Sequence, residues 1–83
     1  MTLVAAELEV GQIGRVVRVV GADEISRRIL EMGVTPGVEM RRLGTAPLGD
    51  PLEFELRGYR LSLRKTEAAH IEIDSGSIRS ETD

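Results

Sequence analysis

His70, Glu72 and Asp74 are the residues whose types and spacing could do chemistry. At every second position of an extended segment they project to one side, about 6.6 Å apart. Glu67 could approach from the preceding turn. One imidazole and three carboxylates suit a divalent transition metal such as Fe2+ or Zn2+. The plainer reading is the solvated face of an edge strand. A tight site would need more convergent ligands and partners to orient them. The residues therefore require no cofactor and allow at most a weak divalent metal site.

Other chemistry is poorly supplied. His70 is the only histidine and cysteine is absent, so disulfides and thiolate metal sites are excluded. Thr45 and Ser62 lack an obvious base, and no nucleophile–base set is visible, so the chain does not read as an enzyme. Gly44 to Gly49 lacks the Lys-Ser/Thr ending of a phosphate loop. Arg27-Arg28, Arg41-Arg42 and Arg57, Arg60 and Arg64 have no aromatic stacking platform beside them. The net charge of −3 also disfavours nucleic acid.

Protein binding is what remains. Ala46-Pro47-Leu48-Gly49-Asp50-Pro51 is bracketed by proline, which restricts its shape, and puts an apolar residue where a loop should face water. Pro47, Leu48 and Asp50 are its candidate contacts. Met32, Val34 and Pro36, after the one helix, are the others. The competing reading is that Leu48, Met32 and Val34 close the ends of the fold.

These candidates must be held by one small domain, since the chain has 83 residues. With one Tyr, one Phe and no Trp, its core must be aliphatic. No run reaches the roughly 18 apolar residues of a membrane span. The N-terminus lacks a basic start, which predicts a cytoplasmic protein. Leu3, Val4 and Leu8 form a lead-in able to pack on the domain.

Ile13 to Val20 reads as a strand. Its paired valines require either a bulge or two partly covered faces. Asp23 to Met32 reads as a helix, capped by Asp23 and stopped by Gly33, with Ile25, Ile29, Leu30 and Met32 on its apolar face. Thr35-Pro36-Gly37-Val38 reads as a type II turn. Val38 to Leu43 is a second strand whose phase slips at Arg42-Leu43.

Leu52 to Arg57 and Tyr59 to Arg64 each alternate, on either side of Gly58, and together read as a hairpin. Parity fixes an even loop length but leaves the turn at Arg57-Gly58 or at Gly58-Tyr59. Lys65 to Ala69 is a short helical turn, and Ile71 and Ile73 form a closing strand. Residues 75–83 read as a polar flexible tail. The sum is mainly β: a five-stranded barrel with one inserted helix at about 23–32.

Three stretches resemble the FeoA family, small accessory proteins of bacterial ferrous-iron transport. They are Leu30-Glu31-Met32-Gly33-Val34-Thr35-Pro36-Gly37, the 46–51 loop, and Arg57-Gly58-Tyr59-Arg60-Leu61-Ser62-Leu63-Arg64 with Thr66-Glu67-Ala68. Leu8 to Arg18 is similar to that family's start. The resemblance runs over about residues 3–74, so 1–74 is expected to be a FeoA-like domain. It implies an SH3-like barrel and a role with FeoB, the ferrous-iron permease with a cytoplasmic G-protein domain. It also implies a fold shared with the SH3-like domain of iron-dependent repressors, which makes a transition-metal sensor the alternative. Exposed strand edges leave a homodimer open.

Overall fold

Alternation of Leu52, Phe54 and Leu56 with Glu53 and Glu55 builds a strand that buries all three apolar side chains. The computed structural model describes residues 1–21 and 23–80. Among these residues six strands run in the order β1 (Thr2–Val4), β2 (Gln12–Val19), β3 (Glu39–Thr45), β4 (Leu52–Leu56), β5 (Tyr59–Leu63) and β6 (Ile71–Ser80). Helix α1 is Glu24–Glu31, and α2 is a single turn, Lys65–Ala68. All pairings are antiparallel, in the order β1-β6-β2-β3-β4-β5. The sheet curls in the SH3-like manner, but hydrogen bonds do not close it, and β1 and β5 are its two edges. Six strands replace the expected five because Thr2–Val4, expected only to pack, pairs with β6.

The hairpin turn is Arg57-Gly58, which pairs Leu56 with Tyr59 and Phe54 with Leu61. Both turn residues have positive φ, 52° and 83°, as a two-residue hairpin turn of this hand demands. Leu52, Phe54, Leu56 and Leu63 are buried on one face, against Met40, Ile71, Ile73 and Leu8. The paired valines of β2 are explained by bulges: its register against β6 shifts between Ile13 and Arg15 and between Val16 and Arg18. At this crossing a Cβ on Gly14 would lie 2.5 Å from Ile73 Cγ2, so a larger residue would push the strands apart.

The expected tail is corrected over residues 75–80. β6 runs on to Ser80, and Arg79 and Ser80 pair with Ile13 and Gln12. The polar run 74–77 serves a bulge in this strand. The Gly76 N–H donates to Asp74 Oδ1 at 3.0 Å. Ser77 Oγ donates to the Asp74 carbonyl at 2.7 Å and accepts from the Arg15 N–H at 2.8 Å. Beyond the bulge, Ile78 packs on the core and Arg79 grips Glu39 through two hydrogen bonds of 3.0 and 2.8 Å. This bidentate contact holds the Glu39 carboxyl below its ordinary value. Residues 81–83 of the expected tail lie outside the described residues.

Helix α1 buries Ser26 and Ile29, with Ile25 partly covered and Leu30 turned outward at 41% exposure. Leu30 is one 100° step past Ile29, beyond the stripe that Ile25, Ile29 and Met32 define. Ser26 takes its place by donating from Oγ to the Val20 carbonyl at 2.6 Å. Gly33, at φ 96°, ends the helix.

Asp23 Oδ1 accepts the Ser26 N–H at 3.1 Å and caps the helix. That backbone hydrogen bond holds the Asp23 carboxyl below its ordinary 3.8. A lowered folded value means the cap stabilises fully above about pH 4 and fades as pH falls through the folded value. Asp23→Asn, which keeps the acceptor without the charge, is expected to flatten this acid limb of a denaturation series. An unchanged limb would remove the Asp23 charge from the acid response.

Candidate docking surface

The 46–51 loop is built by local bonds. The Gly49 N–H donates to the Ala46 carbonyl at 2.8 Å, with Pro47 at the second position of the turn and Gly49 at φ 91°. The Ala46 N–H donates to the Pro51 carbonyl at 3.0 Å, closing the base of the loop, where the Asp50–Pro51 peptide is cis. Asp50 Oδ1 accepts the Lys65 N–H at 2.9 Å, tying the loop to the first turn of α2. Asp50 thus positions the loop, while Pro47 is exposed.

At the tip, Leu48 is 97% exposed. The reading in which it folds back to seal the barrel is excluded. Its isobutyl group is held in water by a loop with little freedom to withdraw it.

The second group of candidates divides. Val34 is fully buried in the core and is corrected from contact to core residue. It follows Gly33, and its N–H donates back to the Ile29 carbonyl at 3.3 Å, folding it beneath the helix. Met32 is half-buried, and its carbonyl accepts the Tyr59 hydroxyl. Pro36 is exposed in the turn closed by the Val38 N–H and the Thr35 carbonyl, 3.1 Å apart. Gly37 sits there at φ 93°, as a type II turn requires.

The candidate metal ligands are not brought together. Glu72 binds Arg18 at 2.8 Å and Asp74 binds Arg15 at 2.6 Å, so each carboxylate on β6 has its own cation on β2. Glu67 Oε1 accepts the Arg64 N–H at 2.8 Å at the start of α2, and Oε2 is 3.9 Å from Arg28. His70 lies in the turn before β6, with Nδ1 3.1 Å from the Val20 carbonyl. Among the described residues no three His, Cys, Asp or Glu side chains converge as ligands. As arranged here, Glu72, Asp74 and Glu67 each face an arginine and His70 faces the Val20 carbonyl, so the four do not form a converged ligand set. Equal spacing on a strand shows which side chains share a face, but not what the neighbouring strand presents to them.

Sequence reasoning weighed Arg42 only among the basic residues of a nucleic-acid reading. It is 8% exposed and holds three segments together. Nη1 donates to the Leu8 carbonyl at 2.6 Å, Nε donates to the Gly44 carbonyl at 3.0 Å, and Nη2 bonds Thr45 Oγ1. Its guanidinium carbon is 5.9 Å from the centroid of the Phe54 ring. The available signal was the slip at Arg42-Leu43, which in the structure is a register shift between Arg42 and Gly44.

The FeoA domain family model matches residues 1–75, almost the whole described fold. The chain belongs to the FeoA family. Over 69 residues it is 39% identical to an Fe(2+) transport protein A/Fe(2+) transporter FeoB fusion protein of Porphyromonas gingivalis. That match takes in 83% of this chain and only 8% of the fusion. The crystal structure of Stenotrophomonas maltophilia FeoA complexed with zinc, described as an SH3 domain protein, superposes with a TM-score of 0.84. The two are 30% identical, and the match covers 99% of each chain. A FeoA-like protein from Clostridium acetobutylicum gives a TM-score of 0.82 at 38% identity, over 88% of this chain and 85% of that one. No helix among the described residues of this FeoA domain is long and apolar enough to cross a membrane.

Proposed function

We propose that the chain is a non-enzymatic, cytoplasmic accessory protein of ferrous-iron uptake. It docks on the cytoplasmic part of a FeoB-type permease and regulates or helps assemble it. The observation that carries the docking is Leu48, 97% exposed at the tip of a loop fixed at both ends. A pre-ordered apolar anchor loses little entropy when it enters a pocket. The choice of partner is supported by the P. gingivalis polypeptide, which carries a segment resembling this chain and a FeoB transporter in one protein. Pro47 is the exposed residue beside Leu48, while Pro36 is exposed at the opposite end of β3, next to the Arg57 turn, and the role needs no resident metal.

The test is calorimetric titration of the chain into the purified cytoplasmic portion of the FeoB-type permease of the same organism, beside iron(II) uptake in a deletion strain. Saturable binding and impaired uptake, restored by the gene, are expected. No binding together with normal uptake would end the proposal.

A further inference from the structure

β5 ends the sheet with β4 on one side only. The turn at Arg57-Gly58 makes Leu56 and Tyr59 a hydrogen-bonded pair, and such pairs alternate along an antiparallel ladder. In this register Phe54 with Leu61 and Leu52 with Leu63 are bonded pairs. Arg60 and Ser62 therefore turn their N–H and C=O groups away from β4. No described residue bonds to those groups.

The charge around this edge departs from the rest of the chain. Arg15, Arg18, Arg27, Arg28, Arg41 and Arg79 each meet a carboxylate. The side chains of Arg57, Arg60, Arg64 and Lys65, like that of the buried Arg42, form no ion pair among the described residues, and those four lie on β5 or at its ends, where Glu67 and Asp50 accept the backbone N–H groups of Arg64 and Lys65. Glu55, opposite Arg60 in the register, is engaged by Arg41. Glu53 lines a cleft with Arg60, and Glu67 lines one with Arg64. A local excess of cations thus sits on a chain of net charge −3. A second cleft, of about 400 Å³, runs on from Ser62 and Arg64 to Pro51 and Ile25.

We propose that the β5 edge takes up an extended acidic segment of a partner protein by strand addition. The backbone groups of Arg60 and Ser62 supply the ladder, and Arg60 and Arg64 face the segment's carboxylates. A second copy of the chain is the poorer occupant, because pairing β5 with β5 would bring their arginines together. The inference does not depend on the permease reading, since it rests on the backbone and arginines of β5 and not on the Leu48 side chain, although the cleft reaches Pro51 at the base of that loop.

The test is titration of the isotope-labelled full chain with an acidic heptapeptide carrying apolar residues at alternate positions, beside its lysine counterpart. Amide shifts centred on Arg60 to Ser62 are expected, with exchange of those two amides slowed about tenfold or more. The lysine peptide is expected to do nothing. Ser62→Pro removes an N–H that β4 does not use, so the variant should fold and bind the acidic peptide about tenfold or more weaker. The double variant Arg60→Glu, Arg64→Glu should lose the acidic peptide and gain the lysine one, and it decides the matter if Ser62→Pro fails to fold.

Undiminished affinity in folded Ser62→Pro, or in the charge-reversed variant, would overturn the proposal. So would shifts centred elsewhere, self-association through β5, or heparin binding with no response to the peptide.

Discussion

Leu48→Asp is expected to weaken the proposed binding to the cytoplasmic portion of a FeoB-type permease about thirty-fold or more, with the melting temperature almost unchanged. The stability half follows from exposure. At 97% exposed, Leu48 contributes nothing to the core, and surface substitutions of this kind stay within about 0.5 kcal/mol. The loop's closing bonds run through Ala46, Gly49, Pro51, Asp50 and Lys65, and none uses the Leu48 side chain. The binding half follows from what an apolar anchor does in an interface. Truncating a central one costs about 2 kcal/mol or more, and a carboxylate buried without a partner adds its desolvation. Leu48→Ala should fall between the two, which separates lost packing from introduced charge. Competition binding with the three proteins, beside thermal melts, checks it. Wild-type affinity in a folded Leu48→Asp would take the loop out of the interface.

Phe54→Ala is expected to bring the protein close to unfolding at ordinary temperature. Phe54 is the one phenylalanine and is fully buried on β4, between β3 and β5. Its removal costs about 3–5 kcal/mol, where a chain this size has about 4–12 kcal/mol in total. The Arg42 guanidinium over the ring raises the cost, because without the ring a charged group would border a cavity. One bond of Arg42 ends on a carbonyl of another segment, at Leu8, so its displacement would loosen the N-terminal lead-in as well. A melting temperature lower by about 12 °C or more is expected, from about 4 °C per kcal/mol. A fall of under about 5 °C would mean that the site collapses around the missing ring.

The difference between these two leucine- and phenylalanine-centred effects is a difference in how far each residue could be read in the chain. Phe54 was legible. It alternates with Glu53 and Glu55, and period-2 alternation fixes which side chains share a face whatever the neighbouring strand is. The cap at Asp23, the stop at Gly33 and the type II turn at Pro36-Gly37 were legible for the same reason: each depends on a few adjacent residues. The FeoA motifs were legible because they are such local features in a fixed order.

What only the tertiary structure decided depends on residues far apart in the chain. Ser75-Gly76-Ser77 is polar and looked like the start of a tail. Only the return of Arg79 and Ser80 to Ile13 and Gln12 makes it a bulge inside a strand. Glu72 and Asp74 kept the spacing of metal ligands until Arg18 and Arg15 arrived on the neighbouring strand, more than fifty residues away, and neutralised them. Leu48 and Val34 were both apolar residues in loops. One stands in water and the other in the core, because Val34 is drawn under the helix end by the Ile29 carbonyl while Leu48 heads a self-closed turn. The sequence determined the local conformations and the faces they present. Which faces meet, and which are left to a partner, was decided when the strands paired, because a contact free energy belongs to two segments and is written in neither alone.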